Sequence, residues 1–425
     1  TYSSSALANY TIVDQSSTTA SITAKTVSVT GSTGLNKTYD GNTNLPLGEI
    51  GYGSLTGVIG SEDVSLTGVG VYDAASVGSR TIAIGTVTLT GADKDNYSLL
   101  WTNGSGTISK KTLTVTANND AKFVTESDTP TYNGVSYSGF EGSDSVADIT
   151  TTGLVISRTA SSTNITAGSY PATLVPSGLP DATNYDFNYI AGDYTIVAAD
   201  KLLLNIENIT TTYGSSATYT VTSAQYYKSS TSTVVTLVNP NVNGDGIYPL
   251  NDGSGVTIGL SISPSGPITT SAGKLAVGNY PLTASVVSGT SVNFNNVIEV
   301  VGNHSVAKKG LSASASSVSK EYDATTGMSG VSLGLTGLES SDEVTVNGTG
   351  AFSSPSAGTG LSYTIAGLSL AGADADNYYL SAGASFSGTN GVITKAPLTV
   401  TANNDNGVDT DPAYSGGNGV TYSGF

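Results

Sequence analysis

Short runs in which apolar and polar residues alternate, each stopped by glycine, aspartate or asparagine, fill this chain. In residues 112–116 Leu113 and Val115 alternate with threonines, and a period of two puts both on one face, as a half-buried strand requires. The same reading predicts strands at 26–30, 64–66, 80–84, 86–89, 97–101 and 106–109, and again at 170–174, 185–189 and 193–197. Residues 202–206, Leu-Leu-Leu-Asn-Ile, open a further stretch of the same kind. Helix is confined to single turns at 61–64, 143–148 and 340–343, where serine precedes carboxylates that suit the positive end of a short helix. The expected fold class is all-β, a tandem, rod-like array of small β-sandwich or β-grasp-like modules.

The pattern repeats. Lys37-Thr38-Tyr39-Asp40-Gly41-Asn42-Thr43 returns as Lys320-Glu321-Tyr322-Asp323-Ala324-Thr325-Thr326, and Gly91-Ala92-Asp93-Lys94-Asp95-Asn96-Tyr97 as Gly372-Ala373-Asp374-Ala375-Asp376-Asn377-Tyr378. Leu113-Thr114-Val115-Thr116-Ala117 reappears as Leu398-Thr399-Val400-Thr401-Ala402. Self-similarity in fixed order reports duplication of a block of modules. The divisions that follow are 1–25, the tail of a preceding module; 26–110; 111–198; 199–307, which carries Tyr213-Gly214-Ser215 and an insertion around 225–255; 308–394, which repeats 26–110; and 395–425, the start of a further module. Because the chain starts and stops in mid-pattern, it is expected to be a fragment. Within modules a glycine-led strand precedes an Asn-aromatic strand, as at Gly78, Gly168 and Gly278 before Asn96-Tyr97, Asn184-Tyr185 and Asn293-Phe294. Linkers such as Ser109-Lys110-Lys111 are short, so neighbours should be angularly restricted; four such modules would extend on the order of 150 Å.

Composition agrees with strand and turn. Of 425 residues 52 are glycine and only 11% are charged, while β-branched residues and tyrosine fill the spaces between turns. A formal charge of −17 argues against nucleic acid and anionic membranes as partners, since phosphate neutralisation needs clustered basic residues. With no cysteine there is neither a disulfide nor a thiolate metal site. No stretch approaches the roughly 20 apolar residues of a membrane span.

The Lys-x-Tyr-Asp-Gly-x-Thr stretch, the Gly-Ala-Asp-x-Asp-Asn-Tyr stretch and the Leu-Thr-Val-Thr-Ala opening resemble YDG and MBG modules. These stand in tandem in large bacterial surface exoproteins of the filamentous-haemagglutinin, two-partner-secretion kind. Tyr213-Gly214-Ser215 resembles the Tyr-Gly-x signature of an MBG variant. The resemblance implies export to the cell surface or beyond and a place in an adhesin stalk. Ala324 departs from the motif where glycine is expected.

Candidate chemistry is sparse. Tyr39-Asp40-Gly41 reads best as a tyrosine at a strand end followed by an Asp-Gly turn. Asp93-Lys94-Asp95-Asn96 and Asp374-Ala375-Asp376-Asn377 alternate oxygen ligands as calcium loops do, but lack the later glycine and bidentate glutamate; the competing reading is a turn feeding the Asn-Tyr strand. His304 is the single histidine, and nothing meets the requirement of nucleophile, base and orienter, so no enzyme is expected. No catalytic, cofactor-binding or metal residue is assigned. Trp101, Tyr226 and Tyr227 could stack on sugars, although strand aromatics are more often core. The sequons at Asn9, Asn36, Asn96, Asn103, Asn164, Asn208, Asn303 and Asn347 are what an Asn- and Thr-rich chain produces by chance. The leading expectation is an extracellular adhesive stalk whose partners are a host or neighbouring cell surface or matrix polysaccharide. A self-assembling filament and a glycan-binding module at 225–255 compete with it.

Overall fold

A computed structural model describes residues 21–46, 49–128, 131–159, 166–316, 318–328, 331–381, 383, 385–404 and 419–424. Residues 1–20 of the expected tail at 1–25 lie outside them. Apart from single 3-10 turns, the regular structure of the described residues is all β-strand, in many small sheets. Among these residues no helix is long and apolar enough to cross a membrane.

One arrangement of strands recurs four times. An opening strand lies parallel to a strand that begins at or after the Asn-aromatic pair: Lys25–Thr30 beside Tyr97–Thr102, Lys111–Ala117 beside Tyr185–Ile190, Leu202–Ile206 beside Ile298–Val301, and Lys309–Ser316 beside Tyr378–Leu380; in the third repeat Asn293-Phe294 lies ahead of the strand rather than in it, contrary to expectation. The chain continues from each of these two strands into a second sheet, where the continuations again lie parallel. They are Thr33–Thr38 with Gly104–Ser109, Asp120–Phe123 with Gly192–Val197, Ile209–Thr212 with Asn303–Ala307, and Ser319–Glu321 with Phe386–Thr394. The glycine-led strand, for instance Gly78–Ala83 or Gly168–Ser177, completes the second sheet antiparallel to the closing strand. First and last segments of each repeat are thus neighbours, which brings every exit beside the next entry.

The corner between the two sheets requires glycine where backbones nearly touch. A Cβ on Gly104 would stand 2.0 Å from the Ser32 carbonyl oxygen, and one on Gly192 would stand 2.3 Å from that of Ala117. A side chain at either corner would force the paired strands apart.

Burial follows the alternation where one face is covered and abandons it where two are. In Lys111–Ala117 Leu113 and Val115 are buried with threonines between them. In Leu202–Ile206 the consecutive Leu202, Leu203 and Leu204 are all buried. Leu202, Leu204 and Ile206 enter the core of the third repeat, whereas Leu203 packs with Phe123, Val197 and Val301 across the boundary with the second. The other two boundaries among the four full repeats are also cored: Tyr39, Tyr72, Ile82 and Ile108 pack with Leu113 and Tyr185, and Tyr213, Tyr280 and Val306 with Leu311 and Tyr378; after the fourth repeat, by contrast, Leu398 and Val400 are exposed. The repeats share cores rather than touch at surfaces.

The structure corrects some element expectations. Residues 61–64 and 340–343 are not helical turns; 3-10 turns form instead at Val146–Asp148, Lys94–Asn96 and Ala375–Asn377. Each segment makes one reverse turn, closed by the Glu62 amide on the Ile59 carbonyl and the Asp342 amide on the Glu339 carbonyl, and winds no further because the next amides, of Asp63 and Glu343, donate to the carboxylates of Asp93 and Asp374. At Val146–Asp148 the expected serine cap is present, with Ser145 and Asp148 forming a capping box. Ser65–Thr67 is offset by one residue from the expected strand, and Thr88–Thr90 starts late because Gly85 takes a left-handed turn at φ +55° ahead of it.

Candidate functional site at the repeat junctions

The motif tyrosine occupies a fixed place. The amides of Tyr39, Tyr213 and Tyr322 donate to Ser109, Ala307 and Thr394 carbonyls, each at 2.8 Å, which puts each tyrosine one residue beyond the second strand; Tyr39 and Tyr213 pack there on the opening strand of the next repeat, whereas Tyr322 is exposed. From there the Tyr39 hydroxyl donates to Asp144 Oδ2 of the second repeat at 2.9 Å, and Tyr185 donates to the same oxygen at 2.7 Å. The two rings meet edge to face with centroids 5.5 Å apart.

The third and fourth repeats reproduce this clasp. Tyr213 and Tyr378 donate to Asp342 Oδ2 at 2.5 and 2.6 Å, with ring centroids 5.1 Å apart. The supporting contacts recur as well. Lys111 pairs with Glu141, and Lys309 with Glu339; the Glu141 and Glu339 amides donate to the Tyr185 and Tyr378 hydroxyls at 3.0 Å. The asparagine before each of these tyrosines accepts from the preceding repeat, Asn184 from the Val77 amide at 3.1 Å and Asn377 from the Val277 amide at 2.8 Å. A carboxylate accepting two phenols forms charge-assisted bonds, stronger than neutral ones. The electrostatics respond accordingly. Burial and then the bond to the carboxylate push Tyr39 and Tyr213 up to about 12, and the same causes raise Tyr185 and Tyr378 further. Burial alone would raise Asp342, but the hydrogen bonds from Tyr213, Tyr378 and the Ala272 amide outweigh it and hold the carboxyl below its ordinary value.

The clasp is not universal. In the first repeat Tyr97 donates to Glu62, the acceptor of the corresponding turn. At the boundary of the second and third repeats Tyr132 stays within its own repeat, edge-on to Tyr194 and bonded to Asp128, which also binds Arg158 and Lys122. That boundary relies on its apolar cluster and on amides: Asn208 Nδ2 donates to Asn133, and Asn303 Nδ2 to Ser136 Oγ at 2.8 Å.

Residues 23–108 and 307–386 match the family model of the YDG domain, and residues 113–195 match that of the MBG domain of the YGX type. The chain carries two YDG domains and an MBG domain in tandem. No curated protein matches it. The clasps therefore join the first YDG domain to the MBG domain, and the third repeat to the second YDG domain. The MBG match falls on the second repeat; the third, which carries Tyr213-Gly214-Ser215, has the same strand topology.

The remaining motif residues serve the YDG turn. Lys37 Nζ reaches Asp40 Oδ1 and the Asn42 carbonyl, both at 2.7 Å; Lys320 repeats this with Asp323 and the Thr325 carbonyl at 2.6 Å. Gly41 stands at φ +76°, and Ala324 holds the same left-handed conformation at φ +61°. In the Asp-x-Asp-Asn turns, Asp93 and Asp374 spend one carboxylate oxygen each on the Asp63 and Glu343 amides. Among the described residues no group of three or more His, Cys, Asp or Glu is placed to hold a metal ion.

His304 is a core residue, its Nε2 2.8 Å from Thr211 Oγ1 and its Nδ1 3.1 Å from the Tyr219 hydroxyl, and burial lowers its pKa. Tyr226 is buried against Phe294, Tyr227 packs on Phe123, and Trp101 donates to the Ile82 carbonyl, so these aromatics build cores rather than an exposed platform. Sequence reasoning missed Asp144, Asp342 and Glu62 as tyrosine acceptors, assigning their segments to helix caps. The signal was present: Lys111 and Glu141, like Lys309 and Glu339, are 30 residues apart, with the aspartate three residues on in both.

Proposed function

We propose that this chain is a structural stalk segment of a large secreted or surface-anchored bacterial adhesin of the filamentous-haemagglutinin kind, outside the cell, that carries an attachment function to a host cell, a neighbouring cell or matrix polysaccharide. The single observation that supports this reading is that the three boundaries among the four full repeats are apolar cores, two of them locked further by a tyrosine–carboxylate clasp. Such boundaries transmit force and orientation from one domain to the next, which a projecting stalk needs and a string of loosely tethered binding modules does not. The third repeat is taken as a further MBG-type unit. No catalytic role or resident cofactor forms part of the reading.

Electron microscopy of the purified chain, together with antibody labelling of intact producing cells, tests it. Separate, uniform particles with surface label on cells are expected. Ordered fibres forming with concentration would make self-assembly the role instead, and label found only inside the cells would overturn the proposal.

A further inference from the structure

A cavity of about 900 Å³ lies where the second, third and fourth repeats meet. It is unrelated to the 225–255 segment, which contributes none of its lining. Its volume falls within the roughly 300–1,000 Å³ of small-ligand sites. Tyr137 and Phe140 come from the MBG domain, Asn279 from the third repeat, and Asp376 and Tyr379 from the second YDG domain. The aromatic and aliphatic lining offers flat apolar faces, and Asp376 is an exposed carboxylate, an acceptor for hydroxyl donors.

Charge narrows the occupant. The carboxylates of Glu141, Asp144, Asp374 and Asp376 outnumber the ammonium groups of Lys111 and Lys308 around the cavity, and Lys111 is already paired with Glu141. Phosphates and acidic sugars would meet net repulsion. A polyhydroxylated ring presents hydroxyl donors to carboxylates and an apolar face to aromatic rings, which is the complement of this lining. We infer that the cavity binds a short neutral oligosaccharide, held by three repeats at once. The inference stands apart from the stalk reading, since the site needs the three repeats to meet but not the chain to serve as a stalk.

Calorimetric titration of the whole chain with neutral linear gluco- and N-acetylglucosamine oligosaccharides of about three to five rings is the test. Asp376→Ala and Tyr379→Leu should each weaken binding about tenfold or more. Asp95→Ala, the corresponding position of the first YDG domain outside this cavity, should leave it unchanged; circular dichroism melts establish that all three variants fold. The inference is overturned if no neutral oligosaccharide binds, if only acidic sugars or peptides do, or if the two cavity variants bind like the parent.

Discussion

The Tyr39 hydroxyl and the Asp144 carboxylate, 105 residues apart in sequence, meet at 2.9 Å across the boundary between the first YDG domain and the MBG domain. The tyrosine that defines the YDG turn is therefore half of a joint whose other half belongs to the next domain. Asp144→Ala would leave the Tyr39 and Tyr185 hydroxyls without their acceptor. A loss of about 3 kcal/mol is expected in urea unfolding, against about 1–2 kcal/mol for Tyr39→Phe, which keeps the ring.

The two YDG turns make a paired test of backbone strain. Ala324 holds a left-handed conformation that glycine adopts freely. Ala324→Gly should stabilise the second YDG domain by about 1 kcal/mol, while Gly41→Ala should destabilise the first by a similar amount. Denaturant midpoints read by the far-ultraviolet signal would register both signs.

At acid pH two buried carboxylates set the limit. Burial raises Asp252, but hydrogen bonds from Ser254, Ser291 and Val292 bring it down to about 2, and Asp342 is likewise depressed. A folded-state pKa below the unfolded value of about 3.9 gives stability that is present above that value and lost as pH falls through the folded pKa. Stability should drop between about pH 4 and pH 2, and Asp252→Asn should flatten that part of the pH profile.

At alkaline pH the sign reverses. Tyr39 and Tyr213 titrate near 12, above the ordinary value of about 10, so their contribution is full below pH 10 and disappears as pH rises through 12. Absorbance at the tyrosinate band should show a late, cooperative phase that Tyr39→Phe and Tyr213→Phe reduce.

Much of the fold was legible because strands announce themselves by local alternation, as Leu113 and Val115 do, and because the repeat of Lys37–Thr43 at Lys320–Thr326 marks equivalent positions. The triple leucine at 202–204 was legible as a strand but not as one covered on both faces, since the second cover comes from Phe123 and Val301 in distant segments. The clasp partners escaped for the same reason. Asp144 and Asp342 look like helix caps in their local sequence, and only the tertiary approach of a preceding tyrosine gives them another use. The meeting of second, third and fourth repeats around one cavity has no local signature at all.

Domains joined by a clasp should yield to force as one. Pulling the whole chain from its ends in a single-molecule force experiment tests it most directly. If the clasped pairs yield together, the extension should grow in steps of about 600 Å for the first pair and about 700 Å for the second, which contains the longer third repeat, at roughly 3.5 Å per residue. Asp144→Ala should split the first pair into steps of about 300 Å. Uniform single-domain steps in the unmutated chain would contradict the account.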